Sequence, residues 1–258
     1  KIKVNKFKEL CLKHAARKTG LGYTDLYEEY FGDKRNKIKK FLEIGLTHGG
    51  SMKMWNDYFP KAKIYGMEYA MGNGEEWEEN LKKLPSPIFD NIYNGDQSKR
   101  SDLKQVIDKF KGDFDIIVDD GGHMMHEQCI SLGYLFSHVK SGGYYVIEDL
   151  HTSLVPFPNR WNIGIGSSKG FSYKYKIDQT NFPEDGKPTF TTLEVLQNYQ
   201  KNKKIESPYI KDSEASYLTD NIDEVKIYFT TCNIQWNRGT KGWGNKYAIA
   251  FIKKIIKK

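Results

Sequence analysis

Apolar residues gather into short runs along this chain, and the most informative runs end in acids. Residues 114–118 and 144–147 are runs of β-branched and aromatic residues; Asp119 and Asp120 follow the first, Glu148 and Asp149 the second. Between them lies a helix-length segment that closes on Ser141, Gly142 and Gly143. Strand, helix and strand in that order predict parallel strands joined by a right-handed crossover. Ligands of such open sheets bind beyond the carboxyl ends of the strands, which is where the acids fall.

The same pattern extends in both directions. Residues 39–44 read as a first strand running into Glu43-Ile-Gly-Leu-Thr-His-Gly-Gly-Ser51, and a helix through Met54, Trp55 and Phe59 follows. Gly45, Gly49 and Gly50 predict a tight turn where backbone can approach a ligand, in the strand-to-helix context such a turn requires. Residues 63–68 form a second strand ending in Glu68. In nucleotide-binding folds a carboxylate roughly 20 residues after the glycines takes the ribose hydroxyls. A helix over 75–83 and a third strand over 89–93 come next. Asp96 and Gln97, just after that strand, are placed to hydrogen-bond an adenine edge; a plain Asn-Gly turn is the alternative. Residues 103–110 and 191–199 are helical. Residues 225–230 and 247–252 read as the arms of a closing hairpin across a Trp/Gly-rich turn.

The N-terminal segment has helical spacing over residues 3–18, then a short helix capped by Thr24 with Tyr27, Tyr30 and Phe31 on its apolar face. Tyr23, beside two glycines, belongs either to the core or to the ligand cleft. Residues 153–190 are rich in Gly, Ser, Pro, Asn and aromatics. A long irregular insert directly after an acid-bearing strand predicts a lid over the site, whose Trp161, Phe171, Tyr173 and Tyr175 would stack on an acceptor. The expected organisation is a single domain: a helical cap over 1–37, a cofactor-binding core over 38–152, the lid over 153–190, and a closing helix and hairpin over 191–258.

Composition narrows the class. A chain of 258 residues with 14% aromatics can bury a sizeable core and does not read as disordered. No apolar run approaches the ~20 residues of a membrane helix, and no secretory pattern opens the chain. Three widely spaced cysteines suit a reducing, cytoplasmic setting. The chain opens on Lys1 rather than Met, as expected either of a trimmed chain or of a domain cut from a longer protein. Residues 1–40 hold 12 Lys/Arg against 5 Asp/Glu, which accounts for the whole net charge of +7. A basic segment of that kind suits either a nucleic-acid partner or a solvated helix face; the second reading is preferred.

The acids carry the chemistry. Neighbouring strands lie about 4.8 Å apart, so Asp120, Glu148 and Asp149 converge if their strands pair. Carboxylates that close repel unless protonated or bound to a cation. Hard oxygen donors suit Mg²⁺, with Mn²⁺ or Ca²⁺ as alternatives; nothing resembles a zinc motif. His123 lies at the mouth of the same loop and can take a proton from a hydroxyl, with His126 and His151 as rivals.

The strings FLEIGLTHGGSMKMWNDYFPKAKIYGME, FDIIVDDGGHMMHEQ and SGGYYVIEDLHTS resemble class I S-adenosylmethionine-dependent methyltransferases. Within that class they resemble the metal-dependent sugar O-methyltransferases of the mycinamicin, macrocin and rhamnosyl type. The resemblance covers roughly residues 20–153. It implies an α/β, Rossmann-like, doubly wound seven-stranded sheet with an antiparallel last strand. It places S-adenosylmethionine over Glu43, Gly45 and Ser51, with Glu68 on the ribose and Asp96 and Gln97 near the adenine. Tyr23 and Asp119 are also expected on the cofactor side. Mg²⁺ maps to Asp120, Glu148 and Asp149, and the base to His123. Three positions depart from the family pattern: Glu68 replaces Asp, Gly122 replaces Ser, and Arg17-Lys-Thr-Gly20 replaces a Gly-Thr-Asp-Lys string. The implied partner is a sugar or glycan acceptor, a deoxyhexose such as rhamnose first. A nucleic-acid or cap methyltransferase, a catechol-type enzyme and a non-catalytic binding module are the alternatives.

Overall fold

The computed structural model describes residues 5–69, 76–154, 191–231 and 246–257. Their strands are β1 (Lys40–Ile44), β2 (Lys63–Glu68), β3 (Ile92–Asn94), β4 (Phe114–Asp119), β5 (Val139–Ile147), β6 (Ile222–Thr231) and β7 (Lys246–Lys254). Their helices are α1 (Lys6–Lys13), α2 (Thr24–Phe31), α3 (Gly50–Tyr58), α4 (Glu76–Lys82), α5 (Ser86–Phe89), α6 (Arg100–Phe110), α7 (Met125–Leu135), α8 (Thr192–Asn202) and α9 (Asp212–Asn221).

The strands form one seven-stranded sheet in the order β3-β2-β1-β4-β5-β7-β6. The pairs from β3 through β5 are parallel, and β7 is antiparallel to both β5 and β6. Strand order reverses between β1 and β4, so the ligand crevice of a doubly wound sheet opens at their carboxyl ends. Register places the site: Ile44 pairs with Asp119, and Asp119 with Ile147. The ladder continues one residue further, because Asp120 N donates to Ile44 O and Glu148 N to Asp119 O, both at 2.9 Å. Gly45, Asp120 and Glu148 therefore emerge side by side.

Both faces of the sheet are apolar, as a sheet covered on two sides requires. Leu42, Ile117, Tyr145, Ile147 and Ala250 pack on one face with α6, α7, α8 and α9. Phe41, Ile116, Val118, Val146 and Phe251 pack on the other with α1, α2 and α3. The N-terminal segment thus supplies a large part of the layer on that second face. Its Phe7 stacks on Tyr27 at a centroid distance of 4.8 Å and meets Tyr58 edge-on at 5.0 Å.

Several boundaries differ from expectation. α1 ends at Lys13, Ala15 takes a left-handed backbone, and a 3-10 turn covers Arg17–Leu21. Thr24 is the first helical residue, not the cap; Tyr23 holds the cap position, and its side chain makes no capping bond to the helix. The strand expected over 89–93 begins at Ile92, because Ser86–Phe89 forms a helical turn with a proline in its first turn. β5 starts at Val139, beyond a register shift against β4. α9 was not expected: its sequence buries only Leu218 and Asn221, too few apolar positions for a periodic signal. The bulk of the expected lid, with Trp161, Phe171, Tyr173 and Tyr175, lies outside the described residues, as do Glu75 and the turn between β6 and β7. Among the described residues no helix is long and apolar enough to cross a membrane.

Candidate active site

The floor of the site is a close approach of two loops. Gly45 has φ +83°, and a Cβ there would lie 2.1 Å from Asp120 O. Only glycine lets the turn after β1 seat against the turn after β4. On the far side Glu68 Oε2 accepts hydrogen bonds from Leu46 N at 2.6 Å and Thr47 N at 3.0 Å. Glu68 therefore ties the end of β2 to the glycine turn. Glu43 is fully buried, and its two oxygens accept from Ser51 Oγ at 2.6 Å and Trp55 Nε1 at 2.9 Å. Burial raises its carboxyl above the usual range, against the lowering pull of Lys18. Asp96 accepts from Ser98 N and Oγ, at 2.9 and 2.6 Å, in a local turn after β3.

Gln97 and Asp119 engage each other. Gln97 Nε2 donates to Asp119 Oδ1 at 3.0 Å, and Gln97 Oε1 accepts from Gly122 N at 2.9 Å. Asp119 also accepts from Ser131 Oγ at 2.5 Å and Tyr145 OH at 3.2 Å. This buried knot shapes the loop that carries Asp120 and His123. It also explains the glycine pair: a Cβ on Gly121 would meet Gln97 Oε1 at 1.7 Å, and one on Gly122 would meet Glu127 Oε2 at 2.1 Å.

Above the knot lie Asp120, His123 and Asp149, each offering one ligand atom, all within 4.8 Å of one another. His123 Nε2 is 3.7 Å from Asp149 Oδ2. Both residues have left-handed backbone, φ +63° and +54°. Asp and His are among the few types that adopt it readily. Tyr23 OH donates to Asp149 Oδ1 at 2.8 Å and accepts from Asp149 N at 3.2 Å. Tyr23 is thus fully buried yet belongs to the acid group. Burial raises the Asp149 carboxyl, with His123 opposing.

Glu148 stands apart from that trio. Its Oε1 accepts from Tyr27 OH at 2.5 Å and Lys18 Nζ at 2.7 Å, while its Oε2 is buried without a hydrogen-bond partner. Burial, then the charge of Asp120, holds its carboxyl well above the usual range. Lys18 also donates to Asp120 Oδ2 at 2.8 Å and lies 3.3 Å from Glu43 Oε1. Burial alone would lower its ammonium, but Asp120, Glu148 and Glu43 outweigh that and hold it well above its ordinary value.

Of the residues expected from sequence, Asp120, His123 and Asp149 come together, with Glu148 beside them. Glu43, Gly45, Ser51 and Glu68 surround the glycine turn. His126 packs toward the Tyr209 ring, 6.1 Å away, and does not join the acids; the side chain of His151 lies outside the described ones. Sequence reasoning missed Lys18 and Tyr27. The donor set fits a divalent cation: hard oxygens and an imidazole are grouped, one buried carboxylate oxygen lacks a partner, and three acids surround one ammonium.

The sheet order, with antiparallel β7 inserted between β5 and β6, defines the class I methyltransferase fold. Solved structures agree. The MycE methyltransferase from the mycinamycin biosynthetic pathway, in complex with Mg and SAH, matches 97% of this chain and 55% of its own, at 24% identity and a TM-score of 0.59. No family model matches the chain. Among curated proteins, 8-demethyl-8-(2-methoxy-alpha-L-rhamnosyl)-tetracenomycin-C 3'-O-methyltransferase of Streptomyces olivaceus is 36% identical over 156 residues, 57% of this chain and 37% of that protein. Mycinamicin VI 2''-O-methyltransferase of Micromonospora griseorubida is 35% identical over 141 residues, 52% of this chain and 33% of that protein. The matched stretches thus span little more than a third of these relatives.

Proposed function

We propose that this chain transfers a methyl group from S-adenosylmethionine to a sugar hydroxyl, with a divalent cation, Mg²⁺ first, held at Asp120, Glu148 and Asp149. The grouping of Asp120, His123 and Asp149 within 4.8 Å, at the strand ends where the sheet order reverses, carries this reading. Glu43, Gly45 and Ser51 line the cofactor side, Glu68 takes the ribose hydroxyls and Asp96 the adenine edge. Gln97 and Asp119 support that side by fixing the loop between them. A bound cation would orient the acceptor hydroxyl and lower its pKa. His123 takes the hydroxyl proton as the oxygen attacks the methyl carbon and the carbon–sulfur bond breaks, leaving the thioether product. Asp149 faces the imidazole, its Oδ2 3.7 Å from His123 Nε2. The names of the relatives point to a glycoside acceptor, with a rhamnosyl group as the first to try.

The test is methyl transfer to rhamnosyl glycosides, followed by mass spectrometry, with Mg²⁺ and with chelator. A mass gain of one methylene that chelator abolishes is the expected result. His123→Asn keeps a residue type that tolerates the left-handed backbone, so it should fold normally while kcat falls by about 10² or more. Full activity in His123→Asn would remove the base; binding of neither S-adenosylhomocysteine nor metal would overturn the whole reading.

A further inference from the structure

Lys18 comes from the N-terminal layer, on the 3-10 turn Arg17–Leu21, and is 2% exposed. The turn is set by backbone: Ala15 before it and Gly22 after it have φ +53° and +76°. A Cβ on Gly50 would lie 2.6 Å from His14 O, so this layer is pressed against the start of α3. The chain reversal delivers the ammonium to the ends of β1, β4 and β5 at once. An ammonium has three N–H donors. Three carboxylate oxygens surround this one: Glu148 Oε1 at 2.7 Å, Asp120 Oδ2 at 2.8 Å and Glu43 Oε1 at 3.3 Å. It takes one oxygen of each. The second oxygen of Glu148 remains buried and without a partner.

We propose that Lys18 is a positioning residue for the cation site: it holds one oxygen each of Asp120 and Glu148, leaving the other for the metal, and links that pair to Glu43 on the cofactor side. The inference rests on the function proposed above. Without the ammonium, the half-buried Asp120 and the buried Glu148 repel and turn away from each other. Glu43 keeps its bonds from Ser51 and Trp55, so the cofactor side should hold its shape.

The experiment compares wild type, Lys18→Met and Lys18→Gln. Mn²⁺ affinity is measured by electron paramagnetic resonance titration, S-adenosylhomocysteine affinity by calorimetry, and folding by thermal melts. The Mn²⁺ dissociation constant should rise by about tenfold or more in Lys18→Met, as for other residues that orient metal ligands. The rise should be smaller in Lys18→Gln, which keeps a hydrogen-bond donor. Affinity for S-adenosylhomocysteine should change by no more than about twofold. If Lys18→Met does not fold, Lys18→Gln carries the same comparison. Unchanged or tighter Mn²⁺ binding would overturn the inference, because the ammonium would then only compete for the oxygens. Parallel loss of both ligands would overturn it in favour of a purely structural role. A wild type that binds no Mn²⁺ would instead overturn the parent reading, and this inference with it.

Discussion

Two buried carboxylates sit almost side by side at the top of this sheet and are treated in opposite ways. Asp119 ends β4 and is surrounded by neutral donors from Gln97, Ser131, Tyr145 and Gly121, so both its oxygens are satisfied. Glu148 follows β5 and receives an ammonium and a tyrosine hydroxyl on one oxygen and nothing on the other. Burial raises both carboxyls, opposed at Asp119 by Ser131 and Gln97. Burial alone therefore does not separate framework from chemistry. What separates them is whether the group's hydrogen-bonding capacity is used up.

One substitution type applied to both should expose the difference. Asp119→Asn puts an amide N–H₂ against a ring of donors. It should cost about 2 kcal/mol through groups left unpaired, read as a lower urea midpoint. Glu148→Gln has the opposite sign: the amide oxygen still accepts from Lys18 and Tyr27, its N–H₂ points where no donor stands, and a buried charge is gone. Its stability should stay within about 1 kcal/mol of wild type or rise, while Mn²⁺ binding weakens by about tenfold or more. Equal destabilisation by the two would break the comparison. The smallest effect concerns Glu127, which caps the loop beside both. Burial, opposed by the Met124 N–H, pushes its carboxyl up from 4.5 to about 7. A raised acid favours folding while it stays protonated, so its contribution is complete below pH 4.5 and is lost as pH rises through about 7. Urea midpoints at pH 5 and pH 8 should differ less in Glu127→Gln than in wild type.

The strands were legible because buried parallel strands read as unbroken apolar runs, and the acids were legible because they directly follow two of those runs. β3 slipped by about a turn because apolar Phe89 belongs to a helical turn, not to the strand. Asp119 and Gln97 read as ligand contacts because both stand at strand ends; the bond that Gln97 donates to Asp119 joins residues 22 apart and left no trace in the local pattern. Lys18 was invisible for a different reason. It lies 130 residues from Glu148 in sequence and inside a Lys-rich segment, where a buried lysine looks like its solvated neighbours.

The two hydrogen bonds that carry the ladder past the strands, Asp120 N to Ile44 O and Glu148 N to Asp119 O, make the sheet a ruler. The backbones bearing these acids are set by strand separation, about 4.8 Å, and not by the folding of a loop. Ion size would then be tuned through side-chain length and rotamer, since the anchor points cannot drift apart without breaking the sheet. Asp120→Glu should accordingly change which divalent ion is preferred more readily than any substitution farther along its loop.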